Sequence, residues 1–233
     1  MKKTLLTICL VWMCFSLSAQ KIIDLSGKWS FSIDRQDNGE KEKWFSHTLN
    51  DFINLPGSMP EKLKGDEVTA KTQWTGSLYD SSYYYNPYME KYRKEGNIKF
   101  PFFLTPDKHY VGAAWYQKEV NIPADWKGER ILLFLERPHI ETTVWVNGQK
   151  TGMQNSLCVP HQYDITRYVR PGKCTITIRV DNRIKEINVG PDSHSITDQT
   201  QGNWNGIVGR ICLQTTPKTY FDDIQIYPEP EQK

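Results

Sequence analysis

Apolar and polar residues alternate along much of this chain with a period of two. The run Trp29-Ser30-Phe31-Ser32-Ile33-Asp34 puts every second side chain on one face, as a half-buried strand does. Residues 114–122 form a longer predicted strand, stopped by Pro123. Residues 130–136 carry the unbroken apolar run Ile131-Leu132-Leu133-Phe134-Leu135, which predicts a strand covered on both faces. Residues 141–146 lead into Asn147-Gly148, a pair suited to the positive φ angles of a tight hairpin. Residues 173–181 alternate throughout, and residues 209–214 and 221–227 complete the set. A helical period shows only weakly near residues 88–94, and no repeat of 20–50 residues is present. The pattern predicts an all-β protein: an antiparallel sandwich of two sheets, jelly-roll or immunoglobulin-like.

Two stretches interrupt the alternation. Residues 57–110 read as a long, strand-poor insertion rich in aromatics: Trp74, Tyr79, Tyr83, Tyr84, Tyr85, Tyr88, Tyr92, Phe100, Phe102 and Phe103. Their rings are expected to pack the insertion onto the sandwich, with a carbohydrate-stacking platform as the alternative. Residues 182–206 are rich in Asn, Asp, Ser, Gly and Thr. The domain is expected to occupy residues 20–227, followed by a tail at 228–233 with the Pro/Glu composition of a linker.

The start of the chain has a different character. Lys2 and Lys3 precede a short apolar run, and Ser16, Ser18 and Ala19 supply small residues, so residues 1–19 read as a secretory signal peptide. Export to the periplasm or beyond the cell is the expectation. Removing this segment takes away two lysines, leaving 29 − 2 = 27 basic against 27 acidic side chains. Such a balance argues against nucleic acid or an anionic membrane as partner. The remaining 233 − 19 = 214 residues suffice for one good core. They do not suffice for that core plus a (β/α)₈ barrel, which takes ~250 residues alone.

Cys158, Cys174 and Cys212 remain after the signal. Cys174 and Cys212 lie in alternating runs and read as buried small hydrophobes, though one disulfide stays open in an exported protein. The histidines at 47, 109, 139, 161 and 194 show no metal-ligand spacing, so neither a metal nor a cofactor is expected.

An ordered series of motifs carries a resemblance. Asp24-Leu25-Ser26-Gly27-Lys28-Trp29 is followed by Leu55-Pro56-Gly57-Ser58, Ala114-Trp115-Tyr116-Gln117-Lys118 and Ile122-Pro123. Then come Val144-Trp145-Val146-Asn147-Gly148-Gln149, Pro160-His161 with Tyr163-Asp164-Ile165-Thr166, Ile178-Arg179-Val180-Asp181-Asn182-Arg183 and Gly202-Asn203-Trp204-Asn205-Gly206-Ile207. Over about residues 24–227 this resembles the N-terminal sugar-binding domain of glycoside hydrolase family 2, which includes β-galactosidases, β-glucuronidases and β-mannosidases. The resemblance implies a galactose-binding-like jelly roll and a β-glycoside as partner. It also implies an immunoglobulin-like domain and a catalytic barrel after this one. On that view the chain is expected to be a non-catalytic part of such an enzyme, with a free-standing carbohydrate-binding module or a non-binding remnant as alternatives.

No catalytic residue is assigned. Glu119, Glu136 and Glu141 read as ordinary polar-face residues, and Glu61 and Glu67 fall in no recognisable motif. The 192–205 loop is the candidate binding site. Asp192, His194, Asp198, Asn203 and Asn205 offer donors and acceptors for sugar hydroxyls, and Trp204 offers an apolar face. The resemblance implies an acidic residue in this loop. Counting back from Gly206-Ile207 places it at Thr200, and Asp198 is the nearest acid. The alternative is that Asn203 and Asn205 form the turn and Trp204 caps the core. Trp29, Trp115 and Trp145 are expected in the core, Asp164 as a turn cap, and Arg183 in an internal pair.

Overall fold

The computed structural model describes residues 20–77, 81–99, 105–185, 192–194, 196–200 and 202–229. The expected signal peptide, Tyr79, Phe100, Phe102, Phe103 and the end of the tail lie outside these residues.

The described chain is a sandwich of two antiparallel sheets. Its strands are β1 (Ile22–Asp24), β2 (Gly27–Asp34), β3 (Asp51–Leu55), β4 (Gly57–Ser58), β5 (Asp66–Glu67), β6 (Lys108–His109), β7 (Ala113–Ile122), β8 (Arg130–Pro138), β9 (Glu141–Val146), β10 (Gln149–Asn155), β11 (His161–Asp164), β12 (Gly172–Asp181) and β13 (Gly206–Thr216). One sheet runs β1-β13-β8-β11, with β4 also paired to β13; the other runs β10-β9-β12-β7-β2-β3. β5 and β6 form a separate two-stranded ribbon within the insertion. No helix among these residues is long and apolar enough to cross a membrane.

Alternation explains which face each strand buries. Along β12, Cys174, Ile176, Ile178 and Val180 enter the core between the sheets, with Trp29, Phe31, Tyr116, Val144, Leu133, Ile211 and Leu213. Truncating one of these, as in Ile178→Ala, removes contacts worth about 2–5 kcal/mol. The opposite face of β12 is covered too. Trp115 and Trp145 sit there, 5.0 Å apart, under Trp44 and Phe45. Phe45 stacks on Trp145 at 5.1 Å and 5°. The three expected core tryptophans are therefore buried, but in two clusters on opposite faces of one sheet.

Several expectations hold in detail. Asn147 and Gly148 take φ of 50° and 76° at the β9–β10 hairpin. Asp164 accepts the Thr166 backbone N–H at 3.1 Å. Cys174 and Cys212 are buried free thiols and Cys158 is an exposed one. Near residues 88–94 the chain forms a 3₁₀ helix, Pro87–Tyr92, after a single α turn at Ser82–Tyr85.

Two expectations are corrected. Residues 221–227 form no strand and pair with none among the described residues; Phe221, Ile224, Ile226 and Tyr227 are exposed, so the alternation there buries no face. Glu141 is not an ordinary polar-face residue. It is buried and bonded to Arg179 at 3.3 Å and Lys185 at 2.9 Å, because the charged residues ending β12 lie beside it.

Candidate functional site

One end of the six-stranded sheet gathers the polar residues. β12 ends there at Asp181, opposite Ala113 of β7 and Glu141 of β9, while β2 ends at Asp34. Asp181 is fully buried and receives Arg179 at 3.0 Å, Arg183 at 2.6 Å and Lys185 at 2.8 Å. Asp37 accepts from Arg179 and Arg183. Three cations thus meet three carboxylates. Burial would raise the Asp181 carboxyl, but the hydrogen bonds from Arg183 and Lys185 and the Arg179 charge outweigh it and hold the group well below the usual carboxylate range. Arg183 is paired internally, as expected.

The next residue, Asn182, joins this cluster to the 192–205 loop. Its side chain donates to the Tyr110 carbonyl and accepts from Gly112 N–H, both at 2.8 Å, while its carbonyl accepts from Asn203 Nδ2 at 3.0 Å. Asn205 lies deeper: Nδ2 donates to the carbonyls of Gly112 and Val180, and Oδ1 accepts from the Tyr116 hydroxyl at 2.7 Å. All its polar groups are engaged in the core. The sequence offered Asn205 as a sugar contact; the structure places its side chain in the core, next to Gly206, where β13 pairs with β4. A Cβ on Gly206 would stand 2.5 Å from the Gly57 carbonyl oxygen, so only glycine lets β13 approach β4 here.

Asp198 and Asp192 tie the loop to the insertion. Asp198 accepts the backbone N–H groups of Thr75 and Asn203, both at 2.7 Å, and its Oδ2 lies 3.2 Å from His109 Nε2. Asp192 accepts from the backbone N–H and hydroxyl of Ser77 at 2.6 and 2.7 Å. Between these anchors Gly76 takes φ of 90°, with Thr197 against it. His194 is exposed; its carbonyl accepts from the Thr200 hydroxyl at 2.6 Å.

These tethers enclose a cavity of about 240 Å³ lined by Ser58, Pro60, Pro106, His109, Asp198, Thr200, Gly202, Asn203 and Trp204. Trp204 is half-buried, its ring stacked on His139 at 4.6 Å and 21°. Asn203 is only 3% exposed, and its side chain and buried His139 are hydrogen-bonding neighbours of loose geometry. Burial lowers the His139 pKa to about 4, against the opposing pull of Asn203 and the Asp198 charge. Beyond His109 lies a larger groove of about 490 Å³ lined by Arg35, Asp66, Glu67 and Lys71 among others, with Arg35 held by Asp66.

Of the six residues singled out in the sequence, Asp198, Asn203 and Trp204 meet at the cavity, together with Thr200. Asp192 acts as a tether, His194 faces solvent and Asn205 is core. Ser58, Pro106, His109 and His139 were not singled out as site residues. Only the Leu55-Pro56-Gly57-Ser58 motif drew notice to one of these walls, and nothing in the pattern around His139 separates it from the other histidines. Among the described residues the cavity is lined by one carboxylate, which already accepts two N–H groups. Glycoside hydrolysis takes two carboxyl groups flanking the bond. Among the described residues no group of three or more His, Cys, Asp or Glu side chains is placed to hold a metal.

Comparison with known proteins places this arrangement. The model of the family described as "Glycosyl hydrolases family 2, sugar binding domain" matches residues 22–217. A β-glucuronidase of Homo sapiens is 25% identical over 237 residues, covering 90% of this chain and 31% of the relative. One of Paenibacillus borealis is 27% identical over 222 residues, covering 89% and 31%. Among solved structures, a β-glucuronidase of an uncultured Clostridium species superposes with a TM-score of 0.57 at 22% identity, over 86% of this chain and 30% of that one. That of Ruminococcus gnavus gives 0.57 at 17% identity, over 85% and 29%. These last two likenesses speak to fold. The chain spans about 30% of the length of the relatives it matches.

Proposed function

This chain belongs to glycosyl hydrolase family 2 through its sugar-binding domain, and from that premise we propose that it recognises carbohydrate without cleaving it, and serves β-glycoside hydrolysis when joined to a catalytic domain. The observation that carries this reading is the cavity beside Trp204, where Asp198, Asn203 and the Ser58 and Thr200 hydroxyls gather next to an indole surface. Sugar hydroxyls both donate to and accept from such groups, and sugar C–H faces pack on indole. The span of about 30% of each β-glucuronidase fits a domain that works within a larger hydrolase.

The test is a titration of the chain with galactose, glucuronate and mannose, followed by NMR, alongside Trp204→Ala. A shallow cavity with a few hydrogen bonds gives binding in the millimolar range, about −4 kcal/mol. Shifts in the 198–204 loop that vanish in Trp204→Ala support the reading; no shifts at high sugar concentration reject it. Aryl β-galactoside, β-glucuronide and β-mannoside stay uncleaved. Turnover that disappears on changing one of this chain's own carboxylates would overturn the non-catalytic assignment. Export rests on the Lys2-Lys3 start, the apolar run and Ala19. N-terminal sequencing of envelope material is expected to begin at Gln20, and an intact Met1 on cytoplasmic protein contradicts it.

A further inference from the structure

The two ends of the sandwich are finished differently. At one end β12 closes in the paired charges around Asp181. At the other end Gly172 of β12 faces Ile122 of β7, and a pocket of about 340 Å³ is lined by Ile122 from one sheet and Ile131 from the other. Trp126 and Val169 complete its apolar wall, and all four side chains are buried members of the core between the sheets. Gly128 lines the pocket at φ of 90°, and a Cβ built there would meet nothing within 4 Å, so the space beside it is open. Lys127, Arg170 and Lys218 are exposed residues of the same lining, and among the described residues none of them is paired with a carboxylate. Arg170 donates to the Val169 carbonyl at 2.6 Å instead. One acid, Glu129, stands with them, so among the described residues three positive charges face one negative. The one hydroxyl of the described lining, that of Thr166, is already engaged: it accepts the Ile131 N–H at 2.9 Å and donates to Asp164 at 2.5 Å.

We propose that this pocket binds a small amphipathic anion, an aliphatic or aromatic acid whose apolar body rests on Ile122, Trp126, Ile131 and Val169 and whose carboxylate sits among Lys127, Arg170 and Lys218. The walls decide the first half: apolar surface there gains by leaving water, and a sugar would find the Thr166 hydroxyl already taken. The rim decides the second: unpaired cations select the sign of the head group, and their methylene stems lengthen the apolar wall. The volume falls in the ~300–1,000 Å³ range of small-molecule pockets, which are mostly apolar with a few placed charges. The site lies at the opposite end of β12 from the Trp204 cavity and stands independently of sugar binding there.

The test titrates the chain with octanoate, 1-octanol and octylammonium at pH 7 and low salt, where octanoate is ionised. The readout is the NMR methyl signals of Ile122 and Ile131, assigned with Ile122→Val and Ile131→Val. Octanoate should move both signals and bind roughly fivefold or more tightly than octanol, with octylammonium weakest. Replacing the three exposed cations together, Lys127→Gln, Arg170→Gln and Lys218→Gln, should bring octanoate within about twofold of octanol. Removing three lysines from the β2–β3 surface instead, Lys28→Gln, Lys62→Gln and Lys64→Gln, should leave octanoate binding unchanged. Methyl signals that stay still up to the solubility limit of the probes overturn the proposal. So does equal binding of the three probes, or an equal loss of octanoate binding in both triple variants, which would reduce the effect to net charge.

Discussion

Two polar clusters lie at the same end of the six-stranded sheet, one residue apart at Asn182, and they differ in a single respect. Around Asp181 every charge has a partner: Arg179, Arg183 and Lys185 against Asp37, Asp181 and Glu141. Around Asn203 the pairing is looser: Asn203 Oδ1 and His139 Nε2 make no bond of good geometry, and the two side chains face each other. A closed network has nothing to offer a ligand and holds strand ends together. An open one carries a desolvation cost of about 1–3 kcal/mol per orphaned group, which a ligand hydroxyl or a water can relieve. The closed cluster is held by ionic pairs throughout, and the looser one borders the cavity beside Trp204.

The sharpest way to break the contrast is to open the closed cluster. Arg179→Met leaves Asp181 and Glu141 short of a cation in a buried setting, and should destabilise the fold by about 3–5 kcal/mol in denaturant unfolding. A loss below about 1 kcal/mol would mean that the network is solvated and the comparison false.

Acid should act next. His139, beside the open cluster, and His161, deep in the sandwich with Nε2 unpaired, are both pulled by burial to about 4 from an ordinary 6.5. The folded form therefore binds fewer protons than the unfolded form between those values. Stability is complete above pH 6.5 and falls as pH drops toward 4, by roughly 3 kcal/mol for each histidine. His161→Leu and His139→Leu should each flatten the slope of stability against pH over that range. A slope unchanged in both variants would place the acid sensitivity elsewhere.

Asp198→Ala should cost about 1–3 kcal/mol, because it orphans the N–H groups of Thr75 and Asn203. Its mark would be local: faster hydrogen exchange at those two amides with the amides of β7 and β12 unchanged. Trp204→Ala should cost least, about 1 kcal/mol or less, the loss of one ring stacked on His139. Wholesale unfolding by that change would move Trp204 from site to core.

The sandwich was legible because its strands announce themselves locally. Residues 173–181 and 114–122 alternate, and Asn147-Gly148 names its own turn. The clusters were only half legible. Asp198 was marked as a sugar contact from its place in the loop, but its tether is the backbone of Thr75, 123 residues away, and no local pattern encodes that. Glu141 was read as an ordinary polar-face residue because alternation predicts the face of a strand and not the charges that neighbouring strands bring beside it. Residues 221–227 show the opposite error: strand-like composition in a segment that pairs with no strand among the described residues.

The cavity draws its walls from Ser58 and Pro60, from Pro106 and His109, and from residues 198–204. Contacts joining them span 89 residues from His109 to Asp198 and 128 from Thr75 to Asn203. Closing loops of that length costs entropy before any contact returns it, as it does where Lys21 meets Thr215 across 194 residues beside β1 and β13. The Trp204 pocket is then a completion signal: a chain whose strands have paired but whose insertion has not docked would pass a test for β structure and still have no place for a sugar.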